Sequence, residues 1–179
     1  MPKHLKKLSE EILHKNPWWS YKHDTYEKPD GCVGDYYYGE TDGMVMVVPV
    51  NKKDNTLVLT LQYRYLESKQ SIEFPAGGIK QGLSTLDAAK QELYEETGWV
   101  ADEWRKVGEF VATNGLFKET SHIFLAYVSE QHAQQLDDTE DIEVLYRRPD
   151  EVDNMIKNNE IWDGETMASW SLVHHYFLH

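Results

Sequence analysis

The sequence predicts an α+β sandwich rather than a doubly wound sheet, on three observations. Runs of β-branched and aromatic residues separated by turn residues fill most of the first 75 positions, a capped helix follows at 85–97, and strand and helix runs then interleave to the end. Taken in order, Leu5 to Lys15 carries Leu5, Leu8, Ile12 and Leu13 at near-helical spacing and is expected to form a short amphipathic helix. From Asn16-Pro17 to about Gly43 the text changes to Trp18-Trp19, a Pro29-Asp30-Gly31 turn and Tyr36-Tyr37-Tyr38, which reads as strands and hairpins of a small β lobe. Met44 to Val50 and Thr56 to Tyr65 flank the loop Asn51 to Asn55 and form two adjacent strands, and Ser71 to Phe74 is a third, ended by Pro75. A glycine-rich loop from Ala76 to Gly82 leads to Ser84, an N-cap candidate with Asp87 three residues on, and Gly98 is placed to end the helix Thr85 to Thr97. Trp104 to Thr113, His122 to Val128 and Ile142 to Arg147 read as strands. Asp150 caps a helix to about Asn158, and Glu165 to Leu178 closes the chain as an amphipathic helix.

Composition limits what this fold can serve. The 179 residues carry 18 Lys and Arg against 31 Asp and Glu, a net charge of −13, which opposes partners bound through phosphate-backbone neutralisation. Nucleic acid and anionic membrane surfaces are therefore poor partners. No apolar run approaches the roughly 20 residues that cross a bilayer, and the basic start lacks the apolar stretch of a secretory signal. One cysteine, Cys32, cannot form an intrachain disulfide, so a cytoplasmic, reducing location is expected. The length suits one domain with a small appended lobe, with residues 1–43 as the lobe and 44–179 as the main domain.

The informative stretch is Gln91 to Gly98. At about 100° per residue, Glu92, Glu95 and Glu96 fall on one helix face beside the apolar stripe Leu86, Ala89 and Leu93. Bare like charges at that spacing repel, whereas a hard divalent cation such as Mg²⁺ or Mn²⁺ turns repulsion into coordination. Taken alone, three such glutamates equally describe a solvated helix face.

Their context is more specific. Gly77 to Val100, GGIKQGLSTLDAAKQELYEETGWV, resembles the Nudix box, G-x5-E-x7-R-E-U-x-E-E-x-G-U with U apolar. Gly77, Glu92, Leu93, Glu95, Glu96 and Gly98 stand at the motif's positions, and Trp99 fills the last apolar one. Leu83 replaces the first glutamate and Gln91 the arginine, which in the family braces the metal-binding glutamates. A charge-assisted bond is about twice as strong as a neutral one, so Gln91 is a weaker brace. The resemblance extends over nearly the whole chain. Asn16-Pro17-Trp18-Trp19, Gly34-Asp35-Tyr36-Tyr37-Tyr38, Gln62-Tyr63-Arg64-Tyr65 and Ile72-Glu73-Phe74-Pro75-Ala76-Gly77 look like the ADP-ribose and nucleoside-diphosphate-sugar pyrophosphatase branch.

That resemblance implies an α/β/α sandwich with a mixed central sheet behind the β lobe. It implies a homodimer formed through the lobe, with each site built from both chains. It implies Mg²⁺, with Mn²⁺ as a substitute, on Glu92, Glu95, Glu96 and the backbone carbonyl of Ala76, and Glu95 and Glu96 count among the catalytic residues for that reason. Arg64 is expected at the diphosphate oxygens or in a surface ion pair. Glu73 is expected either to bond substrate or to brace its loop. Glu119 sits in register on the substrate loop 113–119, where Phe117 replaces a usual small polar residue. Trp19 is a substrate-stacking candidate, although lobe core or dimer interface is the commoner fate of such aromatics. Glu140, in the acidic run Asp137 to Glu143, matches the first glutamate of an E-x-I-E-V pattern and is expected to be the general base, with Asp138 as runner-up. The implied reaction is hydrolysis of the diphosphate of ADP-ribose or a related nucleoside diphosphate sugar to a nucleoside monophosphate and a sugar phosphate. The alternative, motivated by Leu83 and Gln91, is a weakened or inactive module that binds or senses a nucleotide sugar. A nucleoside-triphosphate hydrolase fits less well, because single-lobe enzymes of that kind lack the tryptophan-rich lobe.

Overall fold

A computed structural model describes residues 4–177. Its order is β1 (Lys6–Lys15), β2 (Ser20–Glu27), β3 (Val33–Glu40), β4 (Met44–Asn51), β5 (Leu57–Arg64), β6 (Lys69–Glu73), β7 (Ala76–Gly78), α1 (Thr85–Thr97), β8 (Trp99–Phe110), β9 (Phe117–Lys118), β10 (Ser121–Gln131), β11 (Ile142–Arg147), α2 (Pro149–Lys157) and α3 (Gly164–Val173), followed by a 3₁₀ turn at His174–Tyr176. A seven-stranded sheet runs β11-β5-β4-β10-β8, with β6 beside β5 and β7 beside β4. It is mixed, since β4 and β10 pair in parallel while the other strand pairs in it are antiparallel.

β4 explains why its sequence is apolar without alternation. Val45 and Val47 pack with Ala88, Ala89 and Leu93 of α1, whereas Met46, Val48 and Val50 pack with Val152 and Met155 of α2 and Trp170 and Val173 of α3. A strand covered on both faces must be apolar on both. The α/β/α sandwich follows directly, and the fold class is as the sequence predicts.

The N-terminal sheet runs β1-β2-β3-β9. Here the helix expected over Leu5 to Lys15 is wrong: Lys6–Lys15 is a strand, antiparallel to β2. Register shifts between Lys7 and Ser9 and between Ile12 and His14 leave Leu8 and Leu13 as extra residues opposite β2. Two bulges break period-2 alternation, so the apolar residues mimic a 3.6 period. β9 also went unforeseen; two residues of the loop 113–119 add to β3 in parallel, Gly39 facing Phe117. The Phe117 ring lies where any Cβ on Gly39 would stand.

Smaller corrections concern boundaries. Ala76 to Gly78 is a short strand against β4 rather than open loop. β8 begins at Trp99, five residues before the expected start at Trp104. The cap of α2 is Arg148, not Asp150, because Pro149 occupies the first helical position and the Glu151 carboxylate accepts the Arg148 N–H at 2.7 Å. The last helix stops at Val173; Asp163 caps its start by accepting the Thr166 N–H at 2.7 Å, and Leu178 lies outside the described residues.

Candidate active site

Helix α1 carries the centre of the site, and local chemistry fixes it. The Ser84 hydroxyl accepts the Asp87 N–H at 3.1 Å, and Gly98, at φ 71°, ends the helix in the left-handed conformation. Ala88, Ala89 and Leu93 are buried against the sheet, which sets the rotation and brings Glu92, Glu95 and Glu96 to the edge facing β7.

Each glutamate then meets a different environment. Glu96 is only 4% exposed, and its carboxylate accepts the Ala76 N–H at 3.1 Å. Glu92 lies flat against Gly77, where any Cβ would overlap the carboxylate, so the absence of a side chain at Gly77 lets the Glu92 carboxylate take this position. Glu95 accepts from the Gln91 amide at 2.7 Å and faces the Lys80 ammonium at 3.4 Å. Gln91 therefore does act as a neutral brace, and Lys80, which sequence reasoning passed over, brings the cation that the motif's arginine would have supplied.

The electrostatics are unusual for carboxylates. Burial pushes Glu92 up to about 7; Lys80 opposes this, while Glu95, Glu140 and Asp137 add to it. Burial likewise raises Glu96 well above the ordinary range, opposed by the Ala76 N–H and reinforced by Glu92, Glu140 and Glu73. Among the described residues no three acidic, imidazole or thiol side chains already close on one centre. The donor chemistry still fits a hard divalent ion, since Mg²⁺ takes only one or two carboxylates and fills its shell with water and substrate oxygens. Buried acidic oxygens repelling one another are what such an ion would stabilise.

Arg64, at the end of β5, donates from Nε to Glu73 at 2.7 Å and from Nη2 to the second carboxylate oxygen. Glu73 is buried, so it braces Arg64, and the ion pair forms the floor of a cleft of about 410 Å³ walled by Tyr65, Trp162 and Asp163. Asp163 and Glu96 both act on the Arg64 guanidinium, which places the pair beside the glutamate helix. Glu119 accepts the Thr41 hydroxyl at 2.7 Å, tying the loop 113–119 to the end of β3. Glu140 is exposed, in a turn where it accepts the Asp137 N–H at 2.9 Å, and its charge reaches both Glu92 and Glu96. Trp19 packs on Phe117, ring centroids 6.0 Å apart, and touches the loop 113–119 rather than the glutamates. His174 contacts the Ser171 carbonyl at 3.1 Å, and His179 lies outside the described residues.

One titratable group was missed altogether. Glu165, in the first turn of α3, is pushed up to about 7 by burial and by Asp163, Glu119 and Glu73. Little in the sequence marks it, because apart from Asp163 the groups that act on it lie about 45 and 90 positions away.

The NUDIX domain model matches residues 41–170. A methanol dehydrogenase activator from Bacillus methanolicus is 28% identical over 82% of this chain and 80% of its own. An ADP-ribose pyrophosphatase from Bacillus subtilis (strain 168) is 27% identical over 90% and 91%, and a GDP-mannose pyrophosphatase from Escherichia coli O139:H28 (strain E24377A / ETEC) is 30% identical over 93% of each. A crystal structure of an ADP compounds hydrolase superposes with a TM-score of 0.84 over 97% of this chain and 94% of that one, at 19% identity, which speaks for the fold. No helix among the described residues is long and apolar enough to cross a membrane. With the box glutamates gathered at the edge of an α/β/α sandwich and the domain match spanning most of its length, the chain belongs to the Nudix family.

Proposed function

We propose that this protein hydrolyses the diphosphate linkage of a nucleoside diphosphate sugar, ADP-ribose first, to a nucleoside monophosphate and a sugar phosphate. The observation that carries this reading is the row of carboxylates on α1, Glu96 buried and Glu92 and Glu95 half-buried, beside the Arg64–Glu73 pair. Glu92, Glu95, Glu96 and the Ala76 carbonyl would hold Mg²⁺, or Mn²⁺ in its place. Bound there, a divalent ion supplies Lewis acidity and screens the diphosphate charge. The protein's own residues do the rest. Arg64, pre-aimed by Glu73, presents guanidinium N–H groups to the diphosphate oxygens. Glu140 orients a water and takes its proton as the water oxygen bonds to phosphorus and the bridging P–O bond breaks toward the sugar phosphate. Gln91 and Lys80 hold Glu95.

The lobe, residues 1–43, serves as the dimer contact in this reading. Leu8, Ile12, Trp18, Val33 and Tyr37 are all exposed on it, more apolar surface than an isolated lobe would leave in water. Light scattering should return the mass of two chains. An exposed free Cys32 fits a reducing cytoplasm. The activity is tested by assaying ADP-ribose, ADP-glucose, GDP-mannose and UDP-glucose with Mg²⁺ and with Mn²⁺. Release of monophosphate, abolished by chelation, is the expected result. Binding without turnover on every member would instead mark the chain as a sensor.

A further inference from the structure

The cleft of about 410 Å³ with the Arg64–Glu73 pair on its floor is also lined by Trp162, from the connection between α2 and α3, and by Tyr65 and Glu67, from the turn after β5. Trp162 is held as a rigid plate. Ile161 before it is fully buried and Asp163 after it caps α3, which fixes its backbone. Its indole N–H donates to the Gln70 carbonyl on β6 at 3.0 Å, and the Lys69 ammonium stands over one ring face, 3.8 Å from the centroid. Among the described residues Lys69 is not part of the cleft wall, whereas Trp162 is. Tyr65 is 84% exposed beside it. An indole anchored at its edge and covered on one face, yet only half-buried in a cleft that holds an arginine, is pre-organised for a flat ligand.

We propose that Trp162 is a specificity-determining residue on which the base of the substrate stacks, through the ring face that Lys69 leaves uncovered and with Tyr65 closing over it, and that the cleft favours adenine or guanine over uracil. This rests on the nucleotide-sugar reading above, in which Arg64 takes diphosphate oxygens on the floor of the same cleft. A sugar ring, puckered and without a π system, gains less from a flat indole than a base does. Stacking by itself accepts every base, because every base has a π face. The choice between bases comes from the acceptors. Glu67 forms no ion pair among the described residues, and Asp163 uses one carboxylate oxygen on the Thr166 N–H at 2.7 Å, leaving the other. Ionised carboxylates only accept hydrogen bonds. Adenine brings them an amino group and guanine an amide N–H with an amino group, whereas uracil sets two carbonyl oxygens beside its single N–H.

The test measures inhibition of the fastest sugar-nucleotide hydrolysis by AMP, GMP, UMP and ribose 5-phosphate, in Mg²⁺. In the wild type the better of AMP and GMP should bind at least about tenfold more tightly than UMP. Trp162→Ala should weaken that purine nucleotide about tenfold and leave ribose 5-phosphate within about twofold, and Trp162→Phe, which keeps a flat ring, should recover most of the loss. Tyr65→Ala, at a position too exposed to matter to folding, should weaken the purine nucleotide about threefold. Unchanged purine affinity in the Trp162→Ala and Tyr65→Ala variants overturns the assignment. So does a loss shared equally by ribose 5-phosphate or confined to it, a wild type that binds UMP as well as AMP and GMP, or one that hydrolyses a sugar nucleotide without inhibition by AMP or GMP. Each of these leaves the proposed hydrolysis intact. A wild type that neither hydrolyses any sugar nucleotide nor binds AMP or GMP in calorimetry overturns both.

Discussion

The carboxylates of the N-terminal lobe and those of helix α1 belong to one chain and are treated in opposite ways. In the lobe, Lys22 bridges Glu10 and Glu40, Lys7 pairs with Glu10 and Asp24, and Lys118 reaches Glu40. Hydrogen bonds from Lys7 and Lys22 hold Glu10 down to about 2, and Lys118 and Lys22 hold Glu40 below its ordinary range. On α1 Glu96 is buried without a lysine partner among the described residues, and a single lysine, Lys80, serves both Glu95, at 3.4 Å, and Glu92. Stability alone would favour the reverse, with paired charges inside and bare ones in water. In the proposed reading, the acids that fold least comfortably are the ones that would hold a ligand.

Removing a box charge should break this contrast most sharply. Glu96→Gln is expected to lower turnover of the sugar nucleotide by roughly 10³-fold in steady-state kinetics with Mg²⁺. The metal-free fold should respond the other way. Because Glu92 is raised from 4.5 to about 7, the stability it contributes is complete below pH 4.5 and is lost as pH rises through 7. Glu92→Gln should accordingly stabilise metal-free protein at pH 8 by roughly 1–2 kcal/mol, discounted for its partial exposure, with the gain fading by pH 5 in urea melts. Mg²⁺ should raise the wild-type melting temperature at pH 8 and leave the Glu92→Gln, Glu96→Gln double variant unmoved.

A smaller effect is expected at Gly77. Gly77→Ala puts a methyl where the Glu92 carboxylate lies, and that carboxylate is the flexible end of a side chain. Turnover should fall by roughly 10²-fold from misplacement, while the melting temperature barely changes. A large loss of stability would mean that the glycine serves the fold instead. Gln91→Arg and Lys80→Met test the brace. Because Gln91 and Lys80 already share Glu95, the first should raise turnover and the second lower it by only about two- to fivefold. Smallest of all in activity is Lys22→Met in the lobe. It should lower the melting temperature by a few degrees at low salt, less so at about 1 M salt, with kcat unchanged per folded site.

How much of this was legible depends on how local each signal is. The helix at 85–97 was readable because Ser84, Gly98 and the stripe at Leu93 act within a few residues of one another. The box glutamates could be placed on one face for the same reason. β1 misled because its bulges depend on pairing with β2, and a lone run of Leu5, Leu8, Ile12 and Leu13 carries no record of that partner. Lys80 was passed over because its distance to Glu95 depends on how the loop 79–84 folds back over α1.

The sequence by itself determined the fold class, the capped glutamate helix and the residue types a divalent ion would need, from periodicity, spacing and charge within short windows, and it pointed to the family through the resemblance of Gly77 to Val100 to the Nudix box. Only the tertiary structure decided which acids are bare. It pairs the lobe's carboxylates with Lys7, Lys22 and Lys118, fixes Glu73 on Arg64, and brings Glu165 from the far end of the chain to Ser121. Burial and pairing are properties of surroundings, and surroundings exist only once distant segments have packed together.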